Sequence, residues 1–158
     1  MATNTGLKYI ICDVATKDHG KTTFLKIVAN LLKAHPGSTV TVLAKRWHND
    51  ECFVWTDPKT GKTILVQTKG DEESSFTYTL NYLKNHGNMN LPEADIILCA
   101  RHNYGQTKDV VQYITKQYNY VELDFTHMYP QSFNWSLPST IITHNIMSQS
   151  VYDILLSL

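Results

Sequence analysis

Residues 7–34 read LKYIICDVATKDHGKTTFLKIVANLLKA, and the fold class is decided here. Leu7 to Ala15 is short, apolar and rich in isoleucine and valine, the signature of a strand buried on both faces. A polar loop, Thr16-Lys17-Asp18-His19-Gly20, follows it. Thr22 to Ala34 then reads as a helix, because Phe24, Ile27, Val28 and Leu31 fall at i, i+3, i+4 and i+7. His35-Pro36-Gly37 ends that helix. A buried strand running through a tight loop into an amphipathic helix is the opening half of a strand–helix–strand crossover.

The rest of the chain repeats the alternation. Thr39 to Ala44 is a second strand, and Cys52 to Thr56 and Thr63 to Thr68 are two more. Asp57-Pro58-Lys59-Thr60-Gly61 between the last two has turn chemistry, so they form a hairpin. Ser74 or Ser75 caps a helix with Phe76, Leu80 and Leu83 inward, closed by Gly87. Asp95 to Ala100 is a buried strand. Gln106 to Tyr118 is a helix with Val110, Val111 and Ile114 inward, and Tyr120 to Phe125 is a strand. Tyr129 to Pro138 is an aromatic loop. The C-terminal segment sets Val151, Ile154, Leu155 and Leu158 on one helical face. The expected architecture is a three-layer α/β domain over residues 1–158. Its mostly parallel sheet has helices on both faces and an antiparallel hairpin at one edge.

The 158 residues suit one hydrophobic core. Fourteen basic and fourteen acidic side chains cancel, which argues against a nonspecific nucleic-acid binder. Cys12, Cys52 and Cys99 are odd in number and lack metal-ligand spacing, so reduced, buried thiols in a cytoplasmic protein are expected. Met1 to Gly6 is short and polar and does not read as a signal peptide. No apolar run has the length of a membrane span.

Ala15-Thr16-Lys17-Asp18-His19-Gly20-Lys21-Thr22 carries the chemistry. A loop of this kind curls round a phosphate and turns successive backbone N–H groups inward. Gly20 permits close approach and a positive φ. Lys21 reaches the β- and γ-phosphates, the Thr22 hydroxyl ligates Mg²⁺, and Thr23 continues the first turn of a helix whose positive end faces the anion. Ala15 stands where glycine is usual, and its methyl is compatible with the loop where φ stays negative.

On these residues the chain resembles the P-loop NTPase superfamily, over the strand, loop and helix from Leu7 to Ala34. The resemblance implies a nucleotide–Mg²⁺ site at the carboxyl edge of the sheet, with residues 15–23 around the phosphates and Lys21 neutralising them. ParA-type ATPases carry a second lysine in this loop; here Thr16 holds that place and Lys17 is one residue off. Gln67-Thr68-Lys69-Gly70 looks like the Asp-x-x-Gly segment of small GTP-binding proteins, with Gln67 in place of the acid.

Such a site wants a carboxylate near the metal. Asp71 is the first candidate, with a solvated acidic loop as the alternative. Asp13, two residues before the loop, is the second, and Asp124 the third. Asp95 begins its strand and belongs at the opposite edge. Arg101 and Arg46 both follow strands on the expected ligand edge, where arginine suits phosphate contact or an ordinary ion pair. His19 lies in the loop, and no histidine pair has zinc spacing. Phe133 and Trp135 either stack on a base or cover the core, the covering role being favoured. Thr107-Lys108-Asp109 lacks the spacer of a guanine-reading motif, so ATP is favoured over GTP by default. The expectation is Mg²⁺-dependent binding and hydrolysis of ATP, coupled to a protein partner as a switch. A small-molecule kinase and a non-catalytic P-loop-like interaction protein are the alternatives.

Overall fold

The computed structural model describes residues 6–14, 21–44, 50–69, 73–86, 90–102, 104–125 and 138–158. The six strands are β1 (Lys8–Val14), β2 (Thr39–Ala44), β3 (Cys52–Thr56), β4 (Thr63–Gln67), β5 (Ile96–Arg101) and β6 (Tyr120–Phe125). The helices are α1 (Lys21–Ala34), α2 (Thr77–Asn85), α3 (Gln106–Tyr118) and α4 (Pro138–Ser157). All six strands join one sheet in the order β2-β3-β4-β5-β1-β6. β4, β5, β1 and β6 run parallel, and β3 is antiparallel to both β2 and β4. The antiparallel strand is therefore one place in from the edge, with β2 outside the hairpin.

The sheet separates two cores. On one face Ile11, Phe53, Trp55, Ile64, Val66 and Leu98 meet α1 and α4. On the other, Ile10, Cys12, Leu65, Ile97 and Cys99 meet Phe76, α2 and α3. Alternation along each strand feeds both layers, as the two-residue side-chain period requires.

Two helix faces differ from the expectation. In α1 the fully buried residues are Phe24, Leu25, Val28, Ala29 and Leu32, whereas Ile27 and Leu31 are only partly covered. The helix is wedged between the sheet and α4, so its buried stripe is wide and turned by about one residue. In α4, Leu155 is buried and Val151 partly so, but Ile154 and Leu158 are exposed; Met147, Tyr152 and Leu156 pack instead.

Chain punctuation has local causes. Gly37, at φ 78°, follows the end of α1 in the left-handed region where glycine is unstrained. His35 Nδ1 shares a 2.7 Å hydrogen bond with the Tyr152 hydroxyl, tying this corner to α4. In the β3–β4 turn, Asp57 Oδ1 accepts from the Lys59 N–H at 2.8 Å, an Asx turn. Ser74 and Ser75 do not cap α2: a 3-10 turn over Glu73–Phe76 leads into it, and no side chain caps its first residue. α2 ends at Asn85, and Gly87 lies outside the described residues. Asn119, in the left-handed region with φ 58°, closes α3 through its N–H to the Thr115 carbonyl. No helix among the described residues is long and apolar enough to cross a membrane.

Candidate functional site

The carboxyl ends of β1, β4, β5 and β6 share one edge of the sheet. β1 and β5 are neighbours there, with Val14 opposite Arg101. The chain leaves β1 for α1 on one face and leaves β5 for α3 on the other. Adjacent strands whose crossovers depart to opposite faces leave a crevice between the two connections. Residues 15–20, between β1 and α1 in the chain, lie outside the described residues. Lys21, Thr22 and Thr23 form the first turn of α1, which contains no carboxylate. Arg46, Asp71 and the Phe133–Trp135 loop also lie outside the described residues.

Asp13 is fully buried, in register with Ala100 on one side and Phe125 on the other. Alternation from Ile11 places it on the α1 face.

Arg101 is 6% exposed at the end of β5. Its Nε donates to Glu122 Oε1 at 3.1 Å and its Nη2 to Asp124 Oδ2 at 2.8 Å. Its Nη1 donates to the His102 carbonyl at 2.8 Å. Burial by itself would lower the guanidinium pKa, and the Asp124 and Glu122 charges outweigh it and raise it. Glu122 titrates above the ordinary carboxylate value. Burial and the neighbouring Asp124 raise it, and Arg101 opposes them. So Asp124 is the partner of Arg101, and the ordinary ion pair accounts for this arginine's position. Glu122 escaped the sequence reading, although it sits two residues before Asp124 on the same strand face.

Beneath this ion pair, Cys12 and Cys99 face each other in register, with their Sγ atoms 3.5 Å apart. The Cys12 thiol is held well above its usual pKa by the contact with Cys99, then by burial and the nearby carboxylates. Cys12, Glu122 and Asp124 can bring their ligand atoms within 4.8 Å of one another. The cationic place among them is already filled by Arg101, and a second cation there would be repelled.

Gln67 is fully buried at the end of β4. Its Oε1 accepts from the Thr79 hydroxyl at 2.6 Å and its Nε2 donates to the Lys69 carbonyl at 2.9 Å. It pins α2 to the sheet and is turned away from α1. Asp95 sits at the opposite edge, as expected, where its Oδ2 accepts from the Thr63 N–H at 2.9 Å.

The sequence reading also missed Asp50 and Glu51. The Thr68 hydroxyl donates to Asp50 Oδ1 at 2.8 Å, and the Thr68 N–H donates to the Glu51 carbonyl at 3.0 Å. With Lys26 and Asn30 of α1 these two acids line a pocket of about 290 Å³. Glu51 is also paired with Lys33, whose ammonium lies 4.7 Å from the Phe53 ring centroid. The available signal was topological: residues that begin an antiparallel strand lie at the carboxyl edge of its parallel neighbours. Comparison with family models, with curated proteins and with solved structures returned no match.

Proposed function

We propose that this chain binds a nucleoside triphosphate, ATP by default, with Mg²⁺ at the crevice between β1 and β5. One observation carries the reading. The segment with phosphate-loop residue types, Ala15 to Thr22, joins a buried parallel strand to a helix N-terminus where neighbouring crossovers part. Open α/β sheets bind ligands at such points. There the helix dipole and unpaired N–H groups favour an anion. In this reading Lys21 neutralises the β- and γ-phosphates and the Thr22 hydroxyl ligates Mg²⁺. Asp13, two residues before the loop, holds a metal-bound water in this reading.

Hydrolysis coupled to a protein partner is the first form of the activity. Binding without turnover is the second, and a specific observation favours it: Gln67, where the resemblance expects an acid, is committed to Thr79 and Lys69. Calorimetry with ATP and GTP, with and without Mg²⁺, tests the binding reading. Lys21→Ala should weaken triphosphate affinity by about 100-fold, the loss of one charge-assisted contact of about 2–3 kcal/mol. Equal affinity in wild type and Lys21→Ala, or no heat with either nucleotide, removes the nucleotide reading. Phosphate release at saturating ATP then separates turnover from binding alone.

A further inference from the structure

We propose that α4 pairs antiparallel with α4 of a second copy of this chain, across a two-fold axis passing close to Ser150. The inward side of α4 is accounted for by Met147, Val151, Tyr152, Leu155 and Leu156 against α1 and the sheet. Its outward side is not built like a solvated surface. Ile142 is 56% exposed, Ile146 63%, Ile154 51% and Leu158 39%. A surface helix ordinarily sets charged residues there. Among the described side chains of α4, Asp153 is the only ionisable one on the exposed side.

The spacing identifies the occupant. Ile142, Ile146, Ser150, Ile154 and Leu158 form one i±4 row, and the apolar members stand symmetrically about Ser150. The row reaches Leu158 because the helical hydrogen bonding does: the Leu158 N–H donates to the Ile154 carbonyl at 3.1 Å. A two-fold axis at Ser150 sets Ile146 opposite Ile154 of the second copy, with Ile142 and Leu158 flanking. An isologous interface requires this self-complementarity, in which residue i meets j and j meets i. A partner of unrelated sequence would impose no symmetry on the stripe. Packing of i±4 rows against each other is the commonest helix–helix geometry. Ser150 at the crossing is small, and its hydroxyl is turned back to the Ile146 carbonyl at 3.0 Å, so it admits close approach. The four apolar side chains expose on the order of 350 Å² per copy, the size at which an exposed patch marks an interaction site. That is below the ~800 Å² per partner of a standard interface and sets the pair among weak, reversible associations.

The full chain at about 50 µM should run at twice its monomer mass by light scattering, as a micromolar Kd requires. Ile146→Lys should return it to the monomer with circular dichroism unchanged, and with a Tm equal to that of the wild type at chain concentrations well below the Kd, because the side chain it replaces is exposed. Ser150→Cys should give a covalent dimer under mild oxidation. Axes 8–10 Å apart leave facing Cα atoms about 4–5 Å apart, within disulfide reach. The native cysteines are buried and do not compete. Lys116→Cys, exposed on α3 in the opposite layer, is the control and should not cross-link. A monomer at that concentration overturns the proposal. So does a dimer indifferent to Ile146→Lys, or a Ser150→Cys chain that cross-links no faster than the control. None of these readouts involves nucleotide.

Discussion

Replacing Arg101 by methionine removes the charge while keeping most of the side-chain volume, and its cost can be worked from the ion pair. Breaking a buried pair by deleting one partner costs roughly 3–5 kcal/mol, because the surviving charge is stranded. A fully exposed pair is worth about 0–1 kcal/mol. The Arg101 side chain is 7% exposed, but Glu122 is 22% and Asp124 40% exposed, so water relieves part of the penalty. The expected loss at pH 7 is about 2 kcal/mol, between those limits. The loss should depend on pH, with a sign set by Glu122. Burial and Asp124 already hold its pKa above the ordinary 4.5, and removing the opposing Arg101 raises it further. A carboxyl whose folded pKa is raised stabilises the fold in its protonated form. That contribution is complete below the unfolded value and disappears as pH rises through the folded one. The variant should therefore be most destabilised at pH 7 and regain part of the difference as pH falls toward 4.5. Urea denaturation of both chains at several pH values reads this directly. A difference below about 0.5 kcal/mol, or one that does not shrink in acid, would refute the account of a stranded carboxylate pair. Nucleotide titration of the same variant separates the two roles of Arg101. Unchanged affinity leaves it structural, and a tenfold or greater loss assigns it to the phosphates.

Thr79→Val keeps the shape of a fully buried side chain but strands Gln67 Oε1, so a loss of about 1–3 kcal/mol is expected by urea denaturation. A change under about 0.5 kcal/mol would show that Gln67 repacks. Asp13→Asn should reduce the stimulation of ATP affinity by Mg²⁺ by about tenfold or more, the usual effect of an outer-shell metal partner. It should leave the Mg²⁺-free affinity in place, and calorimetry at two Mg²⁺ concentrations checks both. An equal loss under the two conditions would assign Asp13 to the fold alone.

The elements were legible where one signal dominated. β2, β3, α3 and β6 begin and end where the apolar runs and periodicity place them. The other strand ends move by a residue or two: β1 covers Lys8–Val14, β4 stops at Gln67 and β5 covers Ile96–Arg101. Helix faces were less legible. α1 and α4 are apolar on more than one side, and a four-residue spacing then fits several stripes. Leu25, Ala29 and Leu32 were hidden behind Ile27 and Leu31 in this way. Strand order was not legible at all, since nothing local says that β5 lies between β1 and β4. The candidate site was legible only as a motif. The Arg101 cluster depends on β6 lying within side-chain reach of β5 across β1, and the Asp50 contact depends on the turn-back of β3 onto β4.

That strand order also bears on which acid would serve the Mg²⁺ of the proposed nucleotide site. With neighbouring strands about 4.8 Å apart, the end of β4 stands roughly 10 Å across the sheet from the end of β1, with β5 between them. Asp50, at the start of β3, stands about one strand farther still. A carboxylate reaches an ion through one intervening water at about 4 Å, so neither place suits a metal held by Thr22 unless the loop itself leans that way. The glutamine at the end of β4 gives α2 a buried anchor. Asp13 lies in the strand that feeds the loop, buried on the face that α1 covers. Among the described residues it is the carboxylate nearest in the chain to the proposed phosphate loop.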